Sequence, residues 1–512
     1  MGFELGAGIA HRRLVESFAY AGYTASAVRL RDEGGRDDPE RAVHFPKTLD
    51  RLRALAPDIV VGGNVHGATR GLDVFADIGA IAPVAIVLHD LFAFTGRCVY
   101  PGAHMPACTR HEAGCDADCP SPTQFPYMKR SAIAPAFRRK RAYLNGETAP
   151  TLWANSEWTR ATALAMGGPA MRAPVERVRL AFPTHTFRPR DKARVRAELG
   201  LPVDHRIVAF SSIVVDNPIK GLADLVGVLR ELAAPDVTFL AIGRLDDPAG
   251  LDVPGLVCSG PIADEEDVAR WFSAADVFVS GSRMETLGQT PIEAALCGTP
   301  SVVHGVTGLA DAVIDGVSGL TVPVERDAFR DALRRLLDDP AARRDLGAWG
   351  RLAMEARHGH ASAYLSMRGS LRRMGVLAGE RARGATRFAP GLARTWAFSA
   401  DMRRAPTRNV GATDLKASYR LARRAKRLML GETQPAWMRA TFGLARRAIE
   451  SVRPIRPEPI DPMLLSPVGP AAFEPRPVHG VARWPRLPDP TSVPATQPGG
   501  EAWPRVSVVV VR

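Results

Sequence analysis

The 512-residue sequence predicts an α/β protein with two successive parallel-sheet domains, on three observations. Short apolar runs typical of buried parallel strands alternate with helical segments across residues 205–325. A second set of such runs precedes them, at residues 57–61 and 84–88. Finally, 46% hydrophobic content over this length is enough for more than one sizeable core. No apolar run reaches the length needed to cross a membrane, and no repeat of fixed period is visible.

Residues 276–300, DVFVSGSRMETLGQTPIEAALCGTP, are the most informative stretch. Val277, Phe278 and Val279 read as a strand, and the polar, small residues from Gly281 to Gln289 must turn. Thr290 is expected to cap the following helix, Pro291 suits its first position, and Gly298 with Pro300 stops it after Cys297. A helix N-terminus at a sheet edge offers unpaired N–H groups to an anion, and Gly288 lets the backbone approach a phosphate. Glu285 and Glu293, eight residues apart, could accept hydrogen bonds from sugar hydroxyls, so the combination suits a nucleotide sugar. Thr290 and Glu293 also have the spacing of a capping box, in which the glutamate only satisfies the helix start.

This segment resembles the signature of the retaining nucleotide-sugar glycosyltransferases of family 4, which have the GT-B fold: two Rossmann-like domains with a cleft between them. The likeness runs in order through most of residues 1–375. It implies that Glu285 sits near the donor sugar, that Glu293 binds the ribose hydroxyls, and that the amides of Thr286, Leu287, Gly288 and Gln289, with Thr290, face the sugar and its phosphates.

Other stretches match the same family in order. Residues 207–222, IVAFSSIVVDNPIKGL, read as a strand, a turn, and Lys220-Gly221 opening a helix. The resemblance makes Lys220 the pyrophosphate-binding lysine, although such a residue is otherwise an ordinary solvated helix start. Many members carry an arginine just after this strand, where the chain has Ser211 and Ser212; Arg244 is a candidate replacement. Residues 237–243, VTFLAIG, form another strand, ending at Gly243-Arg244 where the donor pocket begins. A short strand at 256–260 and a helix at 262–274 follow.

In the first half, the strand at 84–88 runs into His89-Asp90. His89 is expected to project into the cleft near donor and acceptor, the alternative being a hydrogen-bonded structural histidine. Its continuation, HDLFAFTGRC, resembles the form seen in exopolysaccharide-type members of that family. Ser156 reads as a helix N-cap, Trp158 as packing, and Phe187 with Pro189 as the approach to the interdomain linker.

Cys98, Cys108, Cys115 and Cys119 fall in a Pro- and Gly-rich insertion, residues 96–122, with His104 and His111. Their spacing admits a structural zinc clip, paired disulfides or free thiols, and a reducing compartment favours zinc or free thiols. Cys258 and Cys297 read as ordinary buried residues.

Family members open with a strand, whereas this sequence begins with what reads as loop and helix. A first strand is therefore expected to be missing from the N-terminal sheet, with Gly6 and Gly8 in a loop facing the donor phosphates or the acceptor. At the other end, residues 451–505 hold 14 of the 42 prolines and read as an extended linker. The closing VSVVVVR resembles the opening strand of a family 2 glycosyltransferase, so residues 506–512 read as a truncated strand.

The formal net charge of +13 belongs to the last part of the chain: residues 376–450 carry +11 and 451–512 carry +2, leaving the first 375 neutral. Residues 414–430, DLKASYRLARRAKRLML, suit a basic helix lying on an anionic membrane surface. No motif supports nucleic-acid binding, and a solvated helix is the plain alternative.

The sequence thus divides into an acceptor domain (1–187), a donor domain (188–345), a helical return (346–375), a basic helical appendage (376–450), a Pro-rich linker (451–505) and the closing strand. The resemblance implies hexosyl transfer from a nucleotide diphosphate sugar to a glycan or lipid-linked glycan, with retention and without a catalytic metal, in the cytoplasm or at the inner membrane face. Glu285, His89 and Lys220 are the candidate catalytic residues. A GT-B nucleotide-sugar epimerase and a non-catalytic scaffold are the alternatives.

Overall fold

The computed structural model describes residues 6–30, 45–101, 108–121, 126–215, 218–246, 252–377 and 506–511. The expected basic helix and Pro-rich linker lie outside them. Two six-stranded, wholly parallel sheets organise the described residues.

The N-terminal domain begins with α1 (Gly6–Tyr20), then β1 (Ala25–Leu30), α2 (Pro46–Leu55), β2 (Ile59–Gly62), α3 (Asp73–Gly79) and β3 (Val84–Leu88). The insertion follows, with the short helix α4 (Arg110–Ala113), then α5 (Arg130–Asn145), β4 (Thr151–Ala154), α6 (Glu157–Gly167) and β5 (Val175–Arg177). Strands β2, β3 and β4 are buried throughout, as expected of a sheet covered on both faces. Lys140 of α5 is fully buried and gives its ammonium to the carbonyls of Phe92, Thr95 and Gly96 at 2.9, 3.0 and 3.3 Å. It fastens the loop after β3 to the helix beneath.

The C-terminal domain runs through α7 (Lys192–Leu199), β6 (Arg206–Val214), α8 (Leu222–Glu231), β7 (Val237–Arg244), β8 (Leu256–Cys258), α9 (Glu265–Ala274), β9 (Val277–Ser280), α10 (Gln289–Leu296), β10 (Ser301–His304), α11 (Leu309–Ala312) and β11 (Gly319–Val322). Its strand order, β11-β10-β9-β6-β7-β8, puts the ends of β6 and β9 side by side at the sheet centre. That is where an open α/β sheet binds ligands, outside the carboxyl ends of its strands. The helices α12 (Arg326–Asp338), α13 (Pro340–His358) and α14 (His360–Arg373) close the domain. Of these, α13 packs on α10, and α14 returns to α1. The Tyr23 and Tyr364 hydroxyls meet at 2.8 Å, and Trp153 Nε1 donates to Ser370 Oγ at 2.7 Å.

The N-terminal sheet differs from expectation at its centre. Its order is β1-β12-β2-β3-β4-β5, where β12 is Val506–Val511. The gap expected from the missing first strand is filled by the far end of the chain, in register from Ala25↔Val506 to Leu30↔Val511 on one side and Val506↔Ile59 to Val509↔Gly62 on the other. A parallel strand in this place satisfies backbone groups of both neighbours that burial would otherwise leave unpaired.

Candidate active site

Strand ends bring the predicted residues of the donor domain together. Lys220 ends a short 3-10 turn after β6, and its ammonium meets Glu285 Oε1, in the loop after β9, at 2.7 Å. The pair is partly open to solvent, 37% for the lysine and 16% for the glutamate. An exposed pair of this kind is weakly held and can be exchanged for a ligand's charges. Behind it, Glu285 N–H donates to Thr307 Oγ1 at 3.2 Å and its carbonyl accepts from Gly308 N–H at 2.8 Å, fixing the loop.

Thr286 is where the two domains meet. Its hydroxyl donates to the His89 carbonyl at 3.0 Å and accepts from Asn155 Nδ2 at 3.2 Å, and its own carbonyl accepts from Thr159 Oγ1 at 2.9 Å. A second tie joins Asp311 to the start of α6, where its carboxylate accepts from the Glu157 and Trp158 N–H groups at 3.1 and 3.2 Å. Ser156 is the N-cap of that helix, as expected. Leu287 is buried in the core, and Gly288 holds φ 80, in the left-handed region. A Cβ there would stand 2.7 Å from Leu309 Cδ2.

Helix α10 starts two residues earlier than the Thr290 cap predicts: Gly288 is the N-cap, and no side chain caps the helix. Thr290 therefore lies within the first turn, and the capping box does not form. Glu293 turns instead to the N-terminal domain. Its Oε1 accepts from Arg13 Nη2 at 2.6 Å; Arg13 also donates to Glu265 Oε1 from Nε at 3.0 Å and Nη2 at 2.6 Å, and to Gln289 Oε1 at 3.3 Å. Arg12 pairs with Glu265 as well. Arg13 is 1% exposed and Glu293 8%. Burial raises the Glu293 carboxyl above the usual range despite the opposing guanidinium, whereas Arg13 and Arg12 together hold Glu265 below it.

Gly6 and Gly8 are not in a loop: both belong to α1, with Gly8 buried and the Gly6 carbonyl accepting from Gln289 Nε2 at 3.1 Å. Helix α1 thus lies against the start of α10 directly. His89, just past β3, is buried, and its Nε2 lies 3.1 Å from His11 Nδ1. Burial lowers His11 to about 4 and takes His89 well below its ordinary value, the neighbouring ring adding to the effect. Both imidazoles are neutral at pH 7, so one donates to the other. Asp90 accepts from Phe92 N–H and meets His66 Nε2 at 2.9 Å. Tyr100, at the head of the insertion, donates to the His89 carbonyl at 3.3 Å and lies within electrostatic reach of Glu285.

Gly243, next to last in β7, holds φ 131, and a Cβ there would stand 1.8 Å from the Ser212 carbonyl oxygen, so only glycine fits. Arg244 is exposed and pairs with Asp246 at 2.7 Å, so it is not turned to Lys220 as a second cation. In the insertion, Cys98, Cys108, Cys115 and Cys119 are free thiols, and among the described residues no three His, Cys, Asp or Glu side chains gather to hold a metal ion. His104 lies outside them. Cys297 is buried as expected, but Cys258 is exposed on the short strand β8.

Arg13, His11, Glu265, Asn155 and Tyr100 escape a reading of the sequence. Two adjacent arginines in an amphipathic helix read as solvated, and only the fold supplies partners some 250 to 280 residues away. Burial of His11, His358 and His360, lowered to about 4, about 3 and about 4, gives a testable pH dependence. Each is neutral when folded and protonates near 6.5 when unfolded, so its contribution is present above pH 6.5 and lost as pH falls towards those lower values. Each adds a slope of about 1.4 kcal/mol per pH unit. Urea unfolding is expected to show stability falling from pH 6.5 to 4, and less steeply in His360→Asn, which still offers Ser17 a partner.

Comparison with known proteins agrees with this geometry. Residues 204–339 match the family glycosyl transferases group 1. The chain carries a glycosyltransferase domain. That group 1 domain holds Lys220, Glu265, Glu285 and Glu293. The chain is 36% identical over 189 residues to the D-inositol 3-phosphate glycosyltransferase of Frankia alni, covering 33% of this chain and 46% of the relative. It is 35% identical over 193 residues to the enzyme of that name from Mycobacterium tuberculosis, covering 35% and 38%. The chain thus spans less than half the length of these relatives. Sucrose-phosphate synthase from Thermosynechococcus elongatus superposes with TM-score 0.53 at 21% identity, over 72% of this chain and 94% of that one. At that identity the likeness speaks for the fold, a GT-B pair of α/β domains around the group 1 domain. No helix among the described residues is long and apolar enough to cross a membrane.

Proposed function

We propose that the protein transfers a glycosyl group from a nucleotide diphosphate sugar to a glycan or lipid-linked glycan, with retention at the anomeric carbon. The observation that carries this reading is the exchangeable Lys220–Glu285 pair, set at the carboxyl edge of the group 1 sheet beside the start of α10. A diphosphate there would draw Lys220 away from Glu285, and Lys220 with the N–H groups at the start of α10 would take up the charge developing on the departing diphosphate. Glu285, released, would accept a hydrogen bond from the donor sugar. His89, neutral and held through Thr286 to the same loop, would face the sugar from the other domain.

The curated relatives are named for an inositol phosphate acceptor, but an acceptor of this chain would meet the N-terminal domain, including Tyr100 and the insertion, rather than the group 1 domain. A cell-surface polysaccharide intermediate is the acceptor favoured by the HDLFAFTGRC stretch. Peripheral membrane contact through residues 414–430 and a cytoplasmic location belong to the same reading.

The test is thermal stabilisation by UDP, GDP and ADP, in the wild type and Lys220→Ala. A nucleotide at 100 times its dissociation constant is expected to add about 2.7 kcal/mol, with a smaller effect in the variant. No shift with any of the three would refute the donor site. Lys220 is the better probe than Glu293, whose loss also disturbs the domain seam.

A further inference from the structure

We propose that residues 506–511 act as a complementing strand for the N-terminal domain: they seat between β1 and β2, hold α1 with His11 and Arg13 against the donor domain, and can be replaced there by the same strand supplied as a separate peptide.

Strands β1 and β2 do not pair with each other; each pairs with β12. The six register positions on β1 and the four on β2 are therefore all filled by one segment. Without it, both strands present unpaired N–H and C=O groups in the middle of a sheet. Helix α1 packs on β12 as well as on β1, so the same strand underlies the helix that carries His11 and Arg13. β2 ends in register with β12 at Val509↔Gly62, beside the Gly63 backbone against which the His11 ring lies. The chain of influence is short: ladder, helix, then the buried contacts to His89, Glu265 and Glu293.

Replacement by a separate strand follows from how the segment is attached. The run VSVVVV is uncharged and mostly β-branched, suited to a buried parallel strand wherever it comes from. In sequence, 128 positions, 378–505, separate it from Leu377, the last residue described before it. The attachment that the structure describes is the ladder itself, to β1 on one side and β2 on the other, and a separate peptide of the same sequence offers the same backbone groups.

Hydrogen exchange on the full chain tests this without any turnover assay, so failure here is separable from failure of the proposed reaction. In the wild type, amides of residues 25–30, 59–62 and 506–511 are expected to be protected together. Free exchange at 506–511 with protection kept at 25–30 and 59–62 overturns the proposal. Val508→Pro, which removes a ladder N–H, is expected to speed exchange at least tenfold at 25–30, 59–62 and in α1, leaving β7 unchanged. A peptide of residues 504–512 then restores protection, and the same peptide carrying the proline does not. Unchanged exchange in Val508→Pro, or loss that the peptide fails to reverse, counts against it. Should the variant not fold, the wild-type pattern alone decides.

Discussion

Arg13→Ala is expected to lower stability by about 3–5 kcal/mol in urea unfolding, with no ligand present. Its guanidinium is fully enclosed and is shared by Glu293 and Glu265. Removing one member of a buried ion pair leaves an uncompensated charge where water cannot reach it, and here two carboxylates would be left facing each other. Glu265 keeps Arg12, so the burden falls on Glu293. Three consequences follow. Adding Glu293→Ala to Arg13→Ala recovers part of the loss, so the two changes are less than additive. Glu293→Ala alone costs less than Arg13→Ala, because Arg13 keeps Glu265 on two of its nitrogens. The deficit of Arg13→Ala is also smaller in mild acid: Glu293, already raised by burial, is raised further without its cation. A carboxyl raised in the folded state binds its proton there first, so the variant loses stability as pH rises through that folded-state value. Additive losses would show that the pair is not coupled.

Lys220→Ala should behave in the opposite way. Its partner is also a glutamate, at 2.7 Å, but the lysine is 37% exposed, and an ion pair in that setting contributes no more than about 1 kcal/mol. Unfolding is expected to change by less than that. Turnover with a nucleotide-sugar donor is expected to fall about 100- to 1,000-fold, the range seen when a donor to developing negative charge is removed. Lys220→Arg keeps the charge and should recover part of the rate. A turnover number unchanged in Lys220→Ala would remove this residue from the mechanism. Two cation-to-glutamate contacts are thus told apart by burial: the enclosed one between the domains holds the fold, and the half-open one within the group 1 domain can be exchanged.

The residues that deliver the donor edge are readable because they are local. An apolar run, a polar turn and a helix stop suffice to place β9 and the end of α10 at Cys297. The helix start is not so readable: Thr290 is the better capping residue, but Gly288, alone able to hold φ 80 against Leu309, takes the position. The spacing of Thr290 and Glu293 misleads for the same reason, since Glu293 is claimed by an arginine 280 positions earlier. The location of residues 506–511 is hidden too. Their pattern identifies a buried parallel strand, and nothing in five valines and a serine says which sheet they join. Cys258 shows the converse, a cysteine preceded by two apolar residues whose short strand leaves it exposed.

Lys140 has a practical use beyond the packing it provides. Amine-reactive reagents need both access to the nitrogen and its lone pair, and here three backbone carbonyls surround the group in the folded domain. Acylation at this position would therefore record each moment when the stretch around Phe92 and Gly96 lifts off α5. Mass spectrometry of that single lysine turns a buried side chain into a clock for the breathing of the N-terminal domain.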